Sequence, residues 1–208
     1  MRRRGRLGPI EWAAARRPRP DEEICGDYPI ALDLGGKAAL FGVLDGLGHG
    51  TEAATAAMRA ADMISDARGE PLEILFQLCH RALADTRGVA MTLAQLDFAA
   101  ATMRWIGVGN VTANLVAKAA SGVEVRSCAL LASGTVGYRL PEVLHPNSVG
   151  IRPGDLLIVA SDGISEDYLD SIDFAGPAMT IAEQILDKHA KETDDALVLA
   201  ARHRGFSS

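Results

Sequence analysis

Residues 28–50 read YPIALDLGGKAALFGVLDGLGHG, and the way this stretch runs apolar and then breaks decides the kind of fold the chain can adopt. The runs at 28–34 and 38–44 are each of strand length, and Gly35-Gly36 between them reads as a two-residue hairpin turn. Strands joined that tightly pair antiparallel. The second run ends in Asp45-Gly46-Leu47-Gly48-His49-Gly50, after which the period changes. Ala53, Ala56, Ala57, Ala60, Ala61 and Ile64 recur at helical spacing among strong helix formers, which predicts a helix over 51–68.

Working outward, a second helix is expected over 71–86. Pro71 suits its first turn, Leu72, Leu75, Phe76, Cys79 and Leu83 form one apolar stripe, and Gly88 marks its end. Upstream, residues 1–9 read as a mobile basic tail and 10–15 as a first strand before the Pro-broken stretch 16–21. Downstream, four β-like runs at 90–98, 101–108, 112–119 and 123–129, separated by short turns such as Ser121-Gly122, predict a meander. A connection over 133–153 leads to an apolar strand at 155–160, a third helix near 179–190 and a last strand at 196–201. Strands in runs and helices in pairs, with few βαβ alternations, favour an α+β architecture: an antiparallel β-sandwich flanked by helices, in α/β/β/α layers. Residues 10–208 are expected to form a single domain.

Composition narrows the function classes. At 208 residues and 48% hydrophobic, the chain can bury one substantial core. No stretch approaches the run of apolar residues that a membrane helix needs, and the Arg-rich start has no apolar signal core, so a soluble cytoplasmic protein is expected. Cys25, Cys79 and Cys128 are widely spaced and in no CxxC arrangement, which argues against a disulfide framework or a thiolate zinc site. Residues 1–20 carry seven Arg and one Glu; against a net charge of −6 this leaves −12 on the remainder. So acidic a body repels phosphate backbones, and no RNA-binding signature accompanies the basic segment. Nucleic acid is therefore not an expected partner.

The candidate chemistry lies in aspartates placed where strands meet turns: Gly26-Asp27, Val43-Leu44-Asp45-Gly46, Ser161-Asp162-Gly163, and Thr193-Asp194-Asp195 before Ala196. Any one Asp-Gly is ordinarily a turn; the combination is what carries information. Several carboxylates on one rim repel each other and lose hydration unless a cation joins them. Oxygen donors without nearby His or Cys select hard ions, so Mn²⁺ or Mg²⁺ is expected, as two ions in the manner of two-metal hydrolases. The Gly-rich turn over 45–50 could cradle a phosphate at a helix start, but it lacks the Gly-Lys-Ser/Thr ending of a Walker loop. It also departs from the Asp-x-Gly-x-Gly box of histidine-kinase-like ATPases, since Leu47 stands third.

These blocks, VLDGLGHG at 43–50 with Gly26-Asp27, Ser161-Asp162-Gly163-Ile164 and Asp194-Asp195-Ala196-Leu197, occur in the order and spacing of the PPM, or type 2C, metal-dependent protein phosphatases. The chain resembles their bacterial SpoIIE/RsbX-like branch over residues 10–203, and Gly134-Thr-Val-Gly137-Tyr-Arg-Leu-Pro141 resembles a middle segment of that branch. The resemblance implies that Asp45 bridges the metals and that the Gly46 carbonyl joins them. Asp27 would help hold the second metal, Asp162 and Asp194 the first, with Asp195 as the adjacent alternative. It also implies a reaction: metal-bound hydroxide attacks phosphoserine or phosphothreonine on STAS-domain regulators of a stressosome or sigma-factor switch, and the enzyme acts as a monomer. Asp45 and Asp162 are thus the central catalytic residues. His49 is either the proton donor to the leaving serine oxygen or a turn residue bonded to backbone. An arginine that holds phosphate, as in the eukaryotic enzymes, would come from Arg16, Arg17 or Arg19. Two other readings share these residues: a non-catalytic binding module of the same fold, and a hydrolase of small phosphate esters.

Overall fold

In the computed structural model, which describes residues 1–120 and 122–206, two six-stranded sheets pack face to face with helices on both outer faces. The first half of the chain forms β1 (Arg2–Leu7), β2 (Ile10–Arg17), β3 (Asp27–Asp33), β4 (Ala38–Gly46), helices α1 (Gly50–Asp66) and α2 (Leu72–Ala82), and β5 (Val89–Asp97). It continues through β6 (Thr102–Val108), β7 (Thr112–Ala119), β8 (Gly122–Cys128), β9 (Leu131–Ala132), β10 (Asn147–Gly150), β11 (Leu156–Ala160), α3 (Ala178–His189) and β12 (Ala196–His203). One sheet has the order β1-β2-β12-β11-β7-β8. The other runs β10-β6-β5-β4-β3, with β9 added parallel to β6 while its other pairs are antiparallel. Ser121, one half of an expected turn, and Ser207-Ser208 lie outside the described residues.

Alternation along β4 shows why the layers stack as they do. Phe41 and Val43 point into the core between the sheets, where they meet Trp105, Leu157 and Leu199. Leu40 and Leu44 point the other way, onto the face covered by α1 and α2. Helix α1 reaches that face with alanines, Ala56, Ala57, Ala60 and Ala61, so its backbone lies close to the sheet. On the opposite side, Ile181, Ala182 and Ile185 of α3 cover Ala13, Ala15 and Val198. Among the described residues, no helix is long and apolar enough to cross a membrane.

The expected sandwich is present, with three corrections of detail. Residues 2–7 are no mobile tail: they form edge strand β1, turned back onto β2 at Gly8, whose φ of +53° suits glycine. Arg2 pairs with Glu183 of α3, and Arg3 and Arg16 flank the Tyr28 ring at 5.7 and 5.4 Å. The four runs after α2 are not one meander either. β5 and β6 stay in the second sheet, whereas Gly109 (φ +97°) turns the chain across to the first, where β7 and β8 pair. Periodicity cannot see that crossing, because each strand looks the same in either sheet. Finally, the connection over 133–153 contains β10, a short edge strand too polar to announce itself.

Candidate metal centre

The aspartates converge because four strand ends share one rim. Asp27 opens β3 and Asp45 stands one residue before the end of β4, and the two are direct partners in the ladder, so their side chains stand on the same face. That face is the inner one, since Asp45 continues the Phe41–Val43 parity. Across the sandwich, β11 ends at Ala160, just before Ser161-Asp162-Gly163, and β12 begins at Ala196, just after Asp194-Asp195. Antiparallel pairing of β11 with β12 brings those two ends together.

Asp45, Asp162 and Asp194 line one cavity of about 210 Å³, together with Arg19, Asn110, Thr193 and the Leu47-Gly48-His49 turn. Asp27 lies behind it, 1% exposed, and accepts a 2.6 Å hydrogen bond from the Ser161 hydroxyl. The Ser161 oxygen in turn accepts the Leu197 N–H at 2.9 Å, so one buried hydroxyl ties the two sheets together at the site. Asn110 donates to Asp162 Oδ2 at 2.6 Å, and Lys191 donates to the Asp162 carbonyl at 2.7 Å.

Asp195 has a different task from Asp194. Its two carboxylate oxygens accept backbone N–H groups, Arg19 at 2.9 Å and Gly26 at 2.8 Å, and it is 3% exposed. It fastens the loop before β3 to the start of β12. Two glycines permit this closeness. A Cβ on Gly46 would stand 2.1 Å from the Ala53 carbonyl of α1, and one on Gly163 would stand 1.8 Å from the Asp195 carbonyl.

The electrostatics are those of a site rich in negative charge. Burial first, then the charges of Asp27, Asp162 and Asp194 and a hydrogen bond with Asp162, push the Asp45 carboxyl up to about 10. Burial raises Asp27 to about 7 against the Ser161 hydroxyl, which holds it down, with Asp195, Asp162 and Asp194 adding to the rise. Asp194 is raised as well, by burial and then by Asp162. Carboxyls in this condition favour a proton or a cation between them, and a divalent ion would satisfy several at once. Among the described residues, no three carboxylate, imidazole or thiol groups are already closed around one point. Oxygen donors on a partly dry rim fit a hard ion such as Mg²⁺ or Mn²⁺.

The structure thus gathers Asp45, Asp162, Asp194 and His49 on one cavity, sets Asp27 directly behind, and packs Gly46 beneath α1. Of the three arginines, Arg16 donates to the Asp27 carbonyl and Arg17 to the carbonyls of Ala190 and Lys191, while Arg19 alone of them lines the cavity. Sequence reasoning missed Ser161 as the partner of Asp27, Asn110, and Glu22, whose Oε1 lies 2.6 Å from His49 Nδ1. Ser161 directly precedes Asp162-Gly163 and was legible in principle; Asn110 and Glu22 carry no local signal.

A family model described as stage II sporulation protein E (SpoIIE) matches residues 35–204. The chain is 23% identical over 144 residues to the phosphoserine phosphatase RsbX of Bacillus subtilis (strain 168), covering 69% of each chain. A solved chain from work on the bacterial stressosome as a modular system adapted to control secondary messenger signalling is 30% identical, with a TM-score of 0.83. The match covers 93% of this chain and 99% of that one. The crystal structure of RsbX in complex with magnesium also superposes with a TM-score of 0.83, at 20% identity over 97% of this chain and 99% of that one.

Proposed function

The chain belongs to the SpoIIE family of PPM-type protein serine/threonine phosphatases, and from that premise we propose that the cavity between Asp45, Asp162 and Asp194 is where it hydrolyses phosphoserine and phosphothreonine. PPM phosphatases are metal-dependent. Asp27, Asp45, Asp162, Asp194 and the Gly46 carbonyl would hold two Mn²⁺ or Mg²⁺ ions, with Asp195 buttressing the loop around them. When bound, the metal supplies positive charge to the phosphoryl oxygens and acidifies the attacking water.

The protein's own groups supply the rest. Arg19 offers a planar guanidinium to the phosphate at the cavity wall. Asn110 and Ser161 keep Asp162 and Asp27 in place, so the carboxylates do not reorient during turnover. His49 lines the same cavity from the start of α1 and gives a proton to the leaving serine oxygen. Likeness to the phosphoserine phosphatase RsbX and to a chain from work on the bacterial stressosome supports a phosphorylated regulatory protein as the substrate. Our reading takes this to be a STAS-domain regulator of a cytoplasmic partner-switching pathway, met by the enzyme as a monomer.

The observation that carries this reading is the convergence of three carboxylates and an arginine on one small cavity. Its test is phosphate release from a phosphoserine-bearing STAS-domain protein with Mn²⁺, beside Asp45→Asn and an EDTA control. Release abolished by both supports the reading. Protein that binds the phosphorylated partner but releases nothing under any condition refutes it in favour of a binding module.

A further inference from the structure

We propose that Glu22 is a positioning residue that orients His49 for proton delivery, an inference that rests on the phosphatase reading above. His49 is the residue before α1, extended at φ −145° and ψ 171°, and its side chain makes no capping bond to the helix. The ring turns instead to Glu22, with Nδ1 2.6 Å from Oε1. A carboxylate can only accept, so the hydrogen sits on Nδ1. That contact assigns the ring's two nitrogens: Nδ1 is held by Glu22, which does not line the cavity, and Nε2 is left for the cavity that His49 does line.

Glu22 also approaches the helix. It lies against the first turn of α1, where a Cβ on Gly50 would stand 3.1 Å from its Oε2; Gly50, at φ +72°, leaves that approach open. A negative charge there also suits the positive end of the helix. The pair is partly solvent-exposed, the His49 side chain 48% and the Glu22 side chain 29%, so neither group is needed to fill the core. An imidazole on the cavity wall, held at a short distance by a carboxylate outside that wall and without a packing role, points to the chemistry.

In the reaction, the oxygen of the attacking water forms the new bond to phosphorus, and the bond from phosphorus to the seryl oxygen breaks with its electron pair left on that oxygen. Protonated His49 passes its Nε2 hydrogen to that oxygen, giving free serine and inorganic phosphate, and recovers a proton from the one that water loses. Glu22 keeps the Nδ1–H throughout.

The experiment compares a phosphoseryl protein, whose alkoxide leaving group needs a proton, with p-nitrophenyl phosphate, whose leaving group departs as a stable anion. For Glu22→Gln, the ratio of kcat on the phosphoseryl protein to kcat on p-nitrophenyl phosphate should fall about 10-fold. For His49→Gln it should fall about 100-fold, within the usual range for a general acid. The double variant should fall no further than His49→Gln alone. Equal losses on both substrates, or additive losses in the double variant, would overturn the inference. So would a Glu22→Gln protein that loses the rise in Tm given by Mn²⁺ alone, since Glu22 would then serve the metal. A wild-type protein that hydrolyses neither substrate with Mn²⁺ overturns the phosphatase reading itself, and this inference with it.

Discussion

Ser161→Ala removes one oxygen from the seam between the sheets, and the structure allows its cost to be worked out. Two bonds disappear together: the 2.6 Å donation to the Asp27 carboxylate and the 2.9 Å bond accepted from the Leu197 N–H, both buried. A hydrogen bond to a charged group contributes about 1.5–3 kcal/mol, and a buried N–H left without an acceptor costs about 1–3 kcal/mol. The expected loss is therefore about 3–5 kcal/mol, a large share of the stability of a domain this size. The pH dependence follows from the same geometry. Burial already raises the folded-state pKa of Asp27 to about 7, so the folded protein binds the extra proton and loses stability as pH climbs from the unfolded value towards 7. Without the hydroxyl that favours the ionised form, the rise is larger and the loss continues to higher pH. Urea titrations in EDTA should thus show a bigger penalty at pH 8.5 than at pH 5.5, with an unchanged m-value. Mn²⁺ affinity should also weaken about 10- to 100-fold, as for other groups that orient a metal ligand. A penalty below about 1 kcal/mol, equal at both pH values, would refute the claim that this hydroxyl supports Asp27.

Asp45→Asn should stabilise the metal-free protein at pH 8 by roughly 2 kcal/mol, because a buried carboxyl pressed by three others no longer has to hold a proton far above its ordinary range, while the Tm rise given by Mn²⁺ and the release of phosphate both vanish. In EDTA the parent protein should lose stability as pH rises from 5 to 8, since Asp27, Asp45 and Asp194 all titrate higher folded than unfolded; thermal melts with and without Mn²⁺ would reveal the reversal on metal binding. Arg19→Ala should raise KM for the phosphoprotein about 10-fold with the Mn²⁺ response intact, because its backbone N–H, not its side chain, holds Asp195. Gly163→Ala should cost at least about 3 kcal/mol in chemical denaturation, as its Cβ would overlap the Asp195 carbonyl at 1.8 Å.

Much of the site is legible in the sequence because its residues follow from how strands end. Asp45-Gly46 and Asp162-Gly163 each stop an apolar run, and a sandwich has few places where such stops can meet. Asp194 and Asp195 show the limit of that reasoning. They are neighbours of one type, and only the backbone donors of Arg19 and Gly26 around Asp195 separate a residue that clamps a loop from one that lines the cavity. The same holds for Arg16, Arg17 and Arg19, alike in sequence and divided by what surrounds them.

Local pattern by itself determined the elements that depend on short-range physics: the alanine-striped helix α1, the glycine turn between β3 and β4, the apolar strands β11 and β12, and hence an antiparallel α+β sandwich. What only the tertiary structure decided are the long-range pairings. These are the return of Arg2–Leu7 onto β2, the crossing at Gly109 that divides the strands between two sheets, and the meetings of Ser161 with Asp27 and Glu22 with His49. The reason is that periodicity records which face of an element is buried, whereas a partner across the fold is set by register and loop path, which leave no trace in the local order of residues.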